Sequence, residues 1–378
     1  MSFPLFELFP KLPQRVARAE LGRFPSPVEP LTAVARELGV SGSESWVKRD
    51  DLSSAVYGGN KVRTLELLLA EARARGHSRV FATGAFGSNH ALATALHAPQ
   101  LGLEPGALLF PQPISEAAFS NLRALVATGS RLHALPHWSA FPFGLAWLRL
   151  SAEREAYVMV PGGATPLGAL GYVSAGLELG RQVAAYELPA PRRVIVGVGS
   201  TCTSAGLLVG LALAAHFRVG FEPATLPRLV SVRVSPWPVT SRMRILSLAA
   251  RCAQLLRELA GAQVPPLDAR ALGAHFEVDG RYLGPGYGQP SVAGNDAEAL
   301  WRRLALPALD GTYSAKAAAR VLAGMRGREA GPTLFWSTKS SAPLPTRALD
   351  EATLAAVPLR VRAWLLRAER QLTSAPAR

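Results

Sequence analysis

The lysine most suited to chemistry in this chain of 378 residues sits where the backbone is tightest. In 56-VYGGNKVRTLELLLAEARARG-76, Lys61 follows Gly58, Gly59 and Asn60 at the first turn of a predicted helix. The chain has 36 arginines and only five lysines, and one wanted for solubility could occupy any polar face. A helix N-terminus disfavours an ammonium, and burial acts the same way, so this amine is drawn toward its neutral, nucleophilic form. Neutral lysine amines form Schiff bases with carbonyl compounds.

Three small-residue loops follow short apolar runs and open helices. They are 84-GAFGSNHALATALHA-98, 199-GSTCTSAGLLVGLALAA-215 and 161-PGGATPLGALGY-172, the last with Thr165 and Pro166 at the predicted helix start. Free N–H groups and the positive dipole end make such helix starts anion sites. Gly199, Ser200, Thr201, Cys202 and Thr203 could cradle a phosphate. The 87-GSNH-90 stretch, with Ser88, Asn89 and His90, could receive a substrate carboxylate. A lysine for a Schiff base, a dianion cradle and a carboxylate site together suit pyridoxal phosphate and an amino acid. On the residues alone a plainer reading stays open, in which Lys61 is a solvated first-turn lysine and the loops are ordinary connections.

The elements that must position these groups alternate. The runs 80-VFAT-83, 107-ALLF-110, 157-YVMV-160, 194-VIVGV-198 and 229-LVSVRV-234 read as buried strands. Helical patterns such as 62-VRTLELLLAEARA-74 and 167-LGALGYVSAGLELGRQVAAYEL-188 lie between them. That order predicts an α/β fold of open, mostly parallel sheets flanked by helices. An arginine-rich helical pattern after Pro343 reads as an appended helix.

Composition narrows the partners. The net charge of +14 is scattered arginine with no basic–aromatic run, so specific nucleic-acid binding is not expected. The two cysteines and seven dispersed histidines offer no disulfide framework and no metal-ligand spacing. The longest apolar stretch, 207-LLVGLALAA-215, is too short for a membrane span, and no signal-peptide pattern is present. A cytoplasmic protein is the expectation.

The run 47-VKRDDLSSAVYGGNKVRTLELLLAEA-72, followed by 84-GAFGSNHALATALHA-98, resembles the pyridoxal-phosphate family of 1-aminocyclopropane-1-carboxylate deaminase and D-cysteine desulfhydrase. Further stretches resemble it in the same order: 161-PGGATPLGALGYVSAGLEL-179, 286-GYGQP-290 and 309-LDGTYSAKAAARVLAGM-325. The resemblance implies the two-domain, fold type II architecture of the tryptophan synthase β chain. Residues 1–63 and 169–378 would form the larger cofactor domain, with 343–378 as the appended helix, and 64–168 a smaller inserted domain. It implies that Lys61, preceded by Asn60, forms the Schiff base with pyridoxal phosphate and acts as the base at Cα. Ser88 would face the substrate carboxylate or exchange a proton, with His90 beside it, and Asn89 would bond the ring hydroxyl. The Gly199–Thr203 loop would hold the phosphate, and Thr338 the pyridine nitrogen. Tyr287 and Tyr313 would line the substrate pocket. Lys316, mid-helix among alanines, reads instead as solvated. A homodimer acting on a small amino acid is implied.

The chain departs from that family in two places. Thr201 and Cys202 replace the central glycines of a loop like Gly-Ser-Gly-Gly-Thr, where glycine permits positive φ. In 335-FWSTKSS-341, Ser337 stands for a histidine and Lys339 brings a cation beside the expected ring nitrogen. Ser314 stands after the second tyrosine where the deaminases carry glutamate, which favours α,β-elimination of the D-cysteine desulfhydrase kind. Its products from D-cysteine would be pyruvate, sulfide and ammonia. The alternatives are the cyclopropane deaminase, a racemase, a β-substituting synthase, or a relative that has lost turnover and acts as a binding protein.

Overall fold

The computed structural model describes residues 3–374 except 41, 43 and 152. The chain divides into two compact units, one of residues 1–67 and 164–342, the other of 68–163 and 343–378. Among the described residues no helix is long and apolar enough to cross a membrane.

Among the described residues ten strands follow in chain order. They are β1 (Val28–Pro30), β2 (Ser45–Arg49), β3 (Arg79–Ala85), β4 (Glu104–Phe110), β5 (Arg131–Ala134), β6 (Tyr157–Val158), β7 (Arg193–Val198), β8 (Arg228–Arg233), β9 (Phe276–Asp279) and β10 (Thr333–Ser337). The larger unit holds a six-stranded sheet ordered β1-β2-β10-β7-β8-β9, parallel except for the β1–β2 pair. Alternation along its strands serves two cores, as a sheet covered on both faces requires. Val194, Val196, Leu334 and Trp336 join the helices Pro166–Ala184, Cys202–His216 and Arg242–Ala260 on one face. Ile195, Val230, Val232 and Phe335 join Val292–Arg303 and Ser314–Arg326 on the other.

The smaller unit carries an all-parallel sheet ordered β5-β4-β3-β6. The tail from Pro343 belongs to this unit and not to the larger one, which corrects the expectation above. Its helix Leu359–Thr373 buries Val361, Trp364, Leu365 and Ala368, spaced as one helical stripe, and turns its arginines outward. The Trp364 indole N–H donates to the Gln112 carbonyl at 2.9 Å, fixing where that stripe lies.

Candidate active site

In the larger unit, loops at the carboxyl ends of β7 and β10 meet the start of the helix Asn60–Ala74, the usual place for a ligand in parallel sheets. Gly59 adopts φ +88°, and a β-carbon there would collide with the Thr338 carbonyl oxygen. Only glycine lets the chain pass so close. That carbonyl also accepts from the Asn60 N–H at 3.2 Å, which ties the residue after β10 to the turn before Lys61. Asn60 Nδ2 in turn donates to Thr203 Oγ1 at 3.1 Å. Asn60, the residue before Lys61, is therefore bonded to both Thr203 and Thr338.

Lys61 itself has no hydrogen-bond or ion-pair partner among the described residues. Burial lowers the pKa of its ammonium. Three other lysines are committed elsewhere. Lys48 lies in a buried ion cluster, and Lys339 Nζ sits over the Tyr57 ring at 5.9 Å from its centroid. Lys316 is not solvated, contrary to the sequence reading. It is 0 % exposed, and its Nζ donates to the carbonyls of Leu283 at 2.7 Å and Gly286 at 3.2 Å. Burial brings its pKa down to about 8.

The loop after β7 leads into the helix Cys202–His216, whose N-cap Thr201 makes no side-chain cap hydrogen bond. The helices opened by Ser88, Ser115, Thr165, Ser241 and Ser291 are each capped by that residue's hydroxyl. The start of Cys202–His216 thus lacks the side-chain cap of those helices, an arrangement that suits an anion. Thr201 holds φ +75°, the left-handed conformation that a glycine in its place would adopt freely. The Cys202 thiol is buried with Thr64 Oγ1 at 3.8 Å, and burial raises its pKa while the neighbouring Lys61 charge lowers it. Gly199 is anchored by Thr240 Oγ1, which donates to its carbonyl at 2.7 Å. Replacing Thr201 with glycine is expected to raise stability by about 0.5–1 kcal/mol, once glycine's own backbone entropy is subtracted. A denaturant midpoint checks this, and destabilisation would show that the threonine side chain contributes more than its backbone costs.

Tyr287 and Tyr313 meet at 3.0 Å between hydroxyls, with rings edge to face. Burial raises both phenol pKa values, so each carries its proton at neutral pH. Asp310, which the sequence reading does not single out, organises this turn by accepting from the N–H groups of Thr312, Tyr313 and Ser314. Ser314 is spent on the same carboxylate at 2.9 Å and is 1 % exposed, so any bearing on substrate choice runs through the turn.

Behind Lys61 lies a second set that sequence reasoning misses. Arg63 binds Asp50 at 2.7 Å and Glu178 at 2.9 Å, while Lys48 binds Glu178 at 2.5 Å and Gln182 at 2.6 Å. Tyr172 and Trp336 each donate to Asp50 Oδ2 at 2.8 Å. The Lys-Arg-Asp-Asp stretch thus supplies a buried ion network joining β2, β10 and the Lys61 helix. Its sequence signal is the pairing of that stretch with Arg63 at a helical offset from Lys61.

In the smaller unit, the loop after β3 opens the helix Asn89–His97. Its N-cap is Ser88, whose Oγ accepts from the Ala91 N–H at 3.2 Å. Asn89 Oδ1 accepts from Asn121 Nδ2 at 2.8 Å. The His90 side chain is buried at 2 % exposure.

A buried lysine thus follows Asn60, which bonds the first turn of a helix whose N-cap side chain makes no cap bond. Residues 19–328 match the family model described as "Pyridoxal-phosphate dependent enzyme", and the chain belongs to that family. It is 38 % identical over 303 residues to a nocardicin C-9' epimerase of Nocardia uniformis subsp. tsuyamanensis, covering 78 % of this chain and 86 % of that one. To a D-cysteine desulfhydrase of Salmonella choleraesuis (strain SC-B67) it is 34 % identical over 339 residues, 86 % of this chain and 94 % of that one. A solved structure described as an ACC deaminase homologue shares 25 % identity and a TM-score of 0.69, covering 94 % of this chain and all of that one. The residues fit pyridoxal phosphate. The uncapped helix start suits its phosphate, Lys61 its carbonyl, and Ser337 Oγ, buried without a partner at the end of β10, leaves a polar group to be met.

Proposed function

We propose that this enzyme cleaves a small D-amino acid by α,β-elimination, as a D-cysteine desulfhydrase does. The observation that carries the proposal is the unpartnered Lys61 amine, with its ammonium disfavoured by burial, at the side of a helix start open to phosphate. Pyridoxal phosphate, when bound, supplies the electron sink for the pair left at Cα. Lys61 would hold it with Asn60, Asn89, Thr338 and the Gly199–Thr203 loop. The Lys61 amine removes the Cα proton. The protonated Tyr287–Tyr313 pair donates to the departing sulfur. Ser88, Asn89 and His90, at the start of the helix Asn89–His97, receive the substrate carboxylate. With one water consumed, D-cysteine yields pyruvate, ammonia and hydrogen sulfide. A homodimer working in the cytoplasm is proposed on the family resemblance, and sedimentation of the pure protein would read its mass.

A second reading is favoured by the 38 % identical epimerase: inversion at Cα with no bond lost at Cβ. Incubation of the loaded protein in heavy water with D-cysteine and β-chloro-D-alanine separates the two. Keto acid and ammonia are expected. Deuterium at Cα with inverted stereochemistry and no keto acid would replace elimination by epimerisation, and loaded protein inert in both assays would sink both.

A further inference from the structure

We propose that the helix Leu359–Thr373 is a positioning element for the Gly87–Asn89 loop, acting from Trp364 through Gln112. This rests on the reading that Ser88 and its neighbours receive the substrate carboxylate. The helix lies beyond residue 328, where the family match ends, so this loop has a support that the family pattern does not include.

The path is short and lies wholly within the smaller unit. Trp364 is 7 % exposed; its ring meets Phe86 edge-on at 5.8 Å between centroids, and its Nε1 donates to the Gln112 carbonyl at 2.9 Å. Gln112 Oε1 accepts the Gly87 N–H at 3.2 Å. From the other side, Asn121 Nδ2 donates to the Gly87 carbonyl at 3.0 Å and to Asn89 Oδ1 at 2.8 Å. A β-carbon on Gly87 would run into Ala118, so the loop is seated directly on the helix Glu116–Ala127. Both backbone groups of Gly87 are thus held by side chains, and the residue holding one of them is itself held by the tail. Arg123 Nε adds a tether to the tail through the Arg347 carbonyl at 3.2 Å. A merely protective cover would need the apolar stripe alone. The indole N–H bond to Gln112 directs the support at the residue next to Ser88.

The test is Trp364→Phe, which keeps a ring against Phe86 and removes the N–H donor. Loss of one such bond is expected to speed amide exchange in the 84–92 segment and raise KM for D-cysteine by about fivefold each, with kcat and the bound-cofactor spectrum unchanged. In a Gln112→Ala background the Trp364→Phe effect should vanish, because the two act in series. Gln112→Ala alone should reproduce the KM rise, which keeps the test open if the Trp364 variant folds poorly. A variant that loses thermal stability while its 84–92 exchange and KM stay at the wild-type values would overturn the proposal. Ser88→Ala and Asn89→Ala separate the two ideas. If they leave KM unmoved, the reading of the loop fails. If they raise KM while Trp364→Phe and Gln112→Ala do not, the positioning role alone fails.

Discussion

Lys61→Ala is expected to lose the visible band of the bound cofactor and to lower kcat at least about a thousandfold, because in the proposed mechanism one amine is covalent anchor and base. Lys61→Arg should be equally inactive, since a guanidinium stays protonated and cannot take the Cα proton. A small primary amine added to the alanine variant should restore part of the turnover, and none in the arginine variant, where the side chain fills the space. Absorption spectra and steady-state rates of the three proteins decide this. Retention of the band in the alanine variant would move the anchor to another lysine. Lys316 would be first in line, since its pKa is also brought down, to about 8.

Asp50→Asn is the second large effect, expected in stability. Asp50 is fully buried and takes bonds from Arg63, Ser26, Tyr172 and Trp336. Removing its charge leaves the buried Arg63 and Lys48 cations with Glu178 as the one carboxylate they share, at a cost of about 3–5 kcal/mol. Tyr172→Phe removes one bond of the same set and should cost about 1 kcal/mol. The pH dependence carries a further mark. Burial would raise the Asp50 carboxyl, but Arg63, Lys48 and Trp336 more than reverse it and hold it well below its ordinary 3.8. Glu178, penalised by burial and then held by Arg63 and Lys48, also lies below its ordinary 4.5. Depressed carboxyls contribute stability that is complete above their unfolded values and lost as the pH falls. Wild-type stability should therefore drop below about pH 5, and Asp50→Asn should flatten part of that slope. Denaturant titrations at several pH values measure both, and an equal slope in the two proteins would remove Asp50 as a cause.

Much of the candidate site is legible in the sequence because its signals are local. Gly58-Gly59-Asn60-Lys61 and 199-GSTCT-203 announce themselves within five residues, and the strands at 194 and 229 are short apolar runs between breakers. What stays hidden depends on partners far along the chain. Lys48 and Arg63 look like surface charge until Glu178, 115 residues beyond Arg63, is brought to them. Lys316 looks solvated among its alanines because the carbonyls it binds belong to residues 283 and 286. Strand β2 is obscured for the same reason, since Lys48 and Arg49 break the apolar alternation and are made acceptable by ion pairs no window contains. The tail's destination is equally illegible. Its stripe predicts burial but not against which unit.

The order β1-β2-β10-β7-β8-β9 also bears on how the chain is made. The strand that joins the two halves of the larger sheet is the last of the ten to leave the ribosome. Until residue 337 has emerged, β2 and β7 each present an unpaired edge, and Asp50 waits for the Trp336 donor. The nascent larger unit therefore spends most of its synthesis as an open, edge-exposed intermediate, the kind that aggregates and engages chaperones. Messages truncated before residue 333 should yield insoluble product, whereas chains released just after 342 can close the sheet.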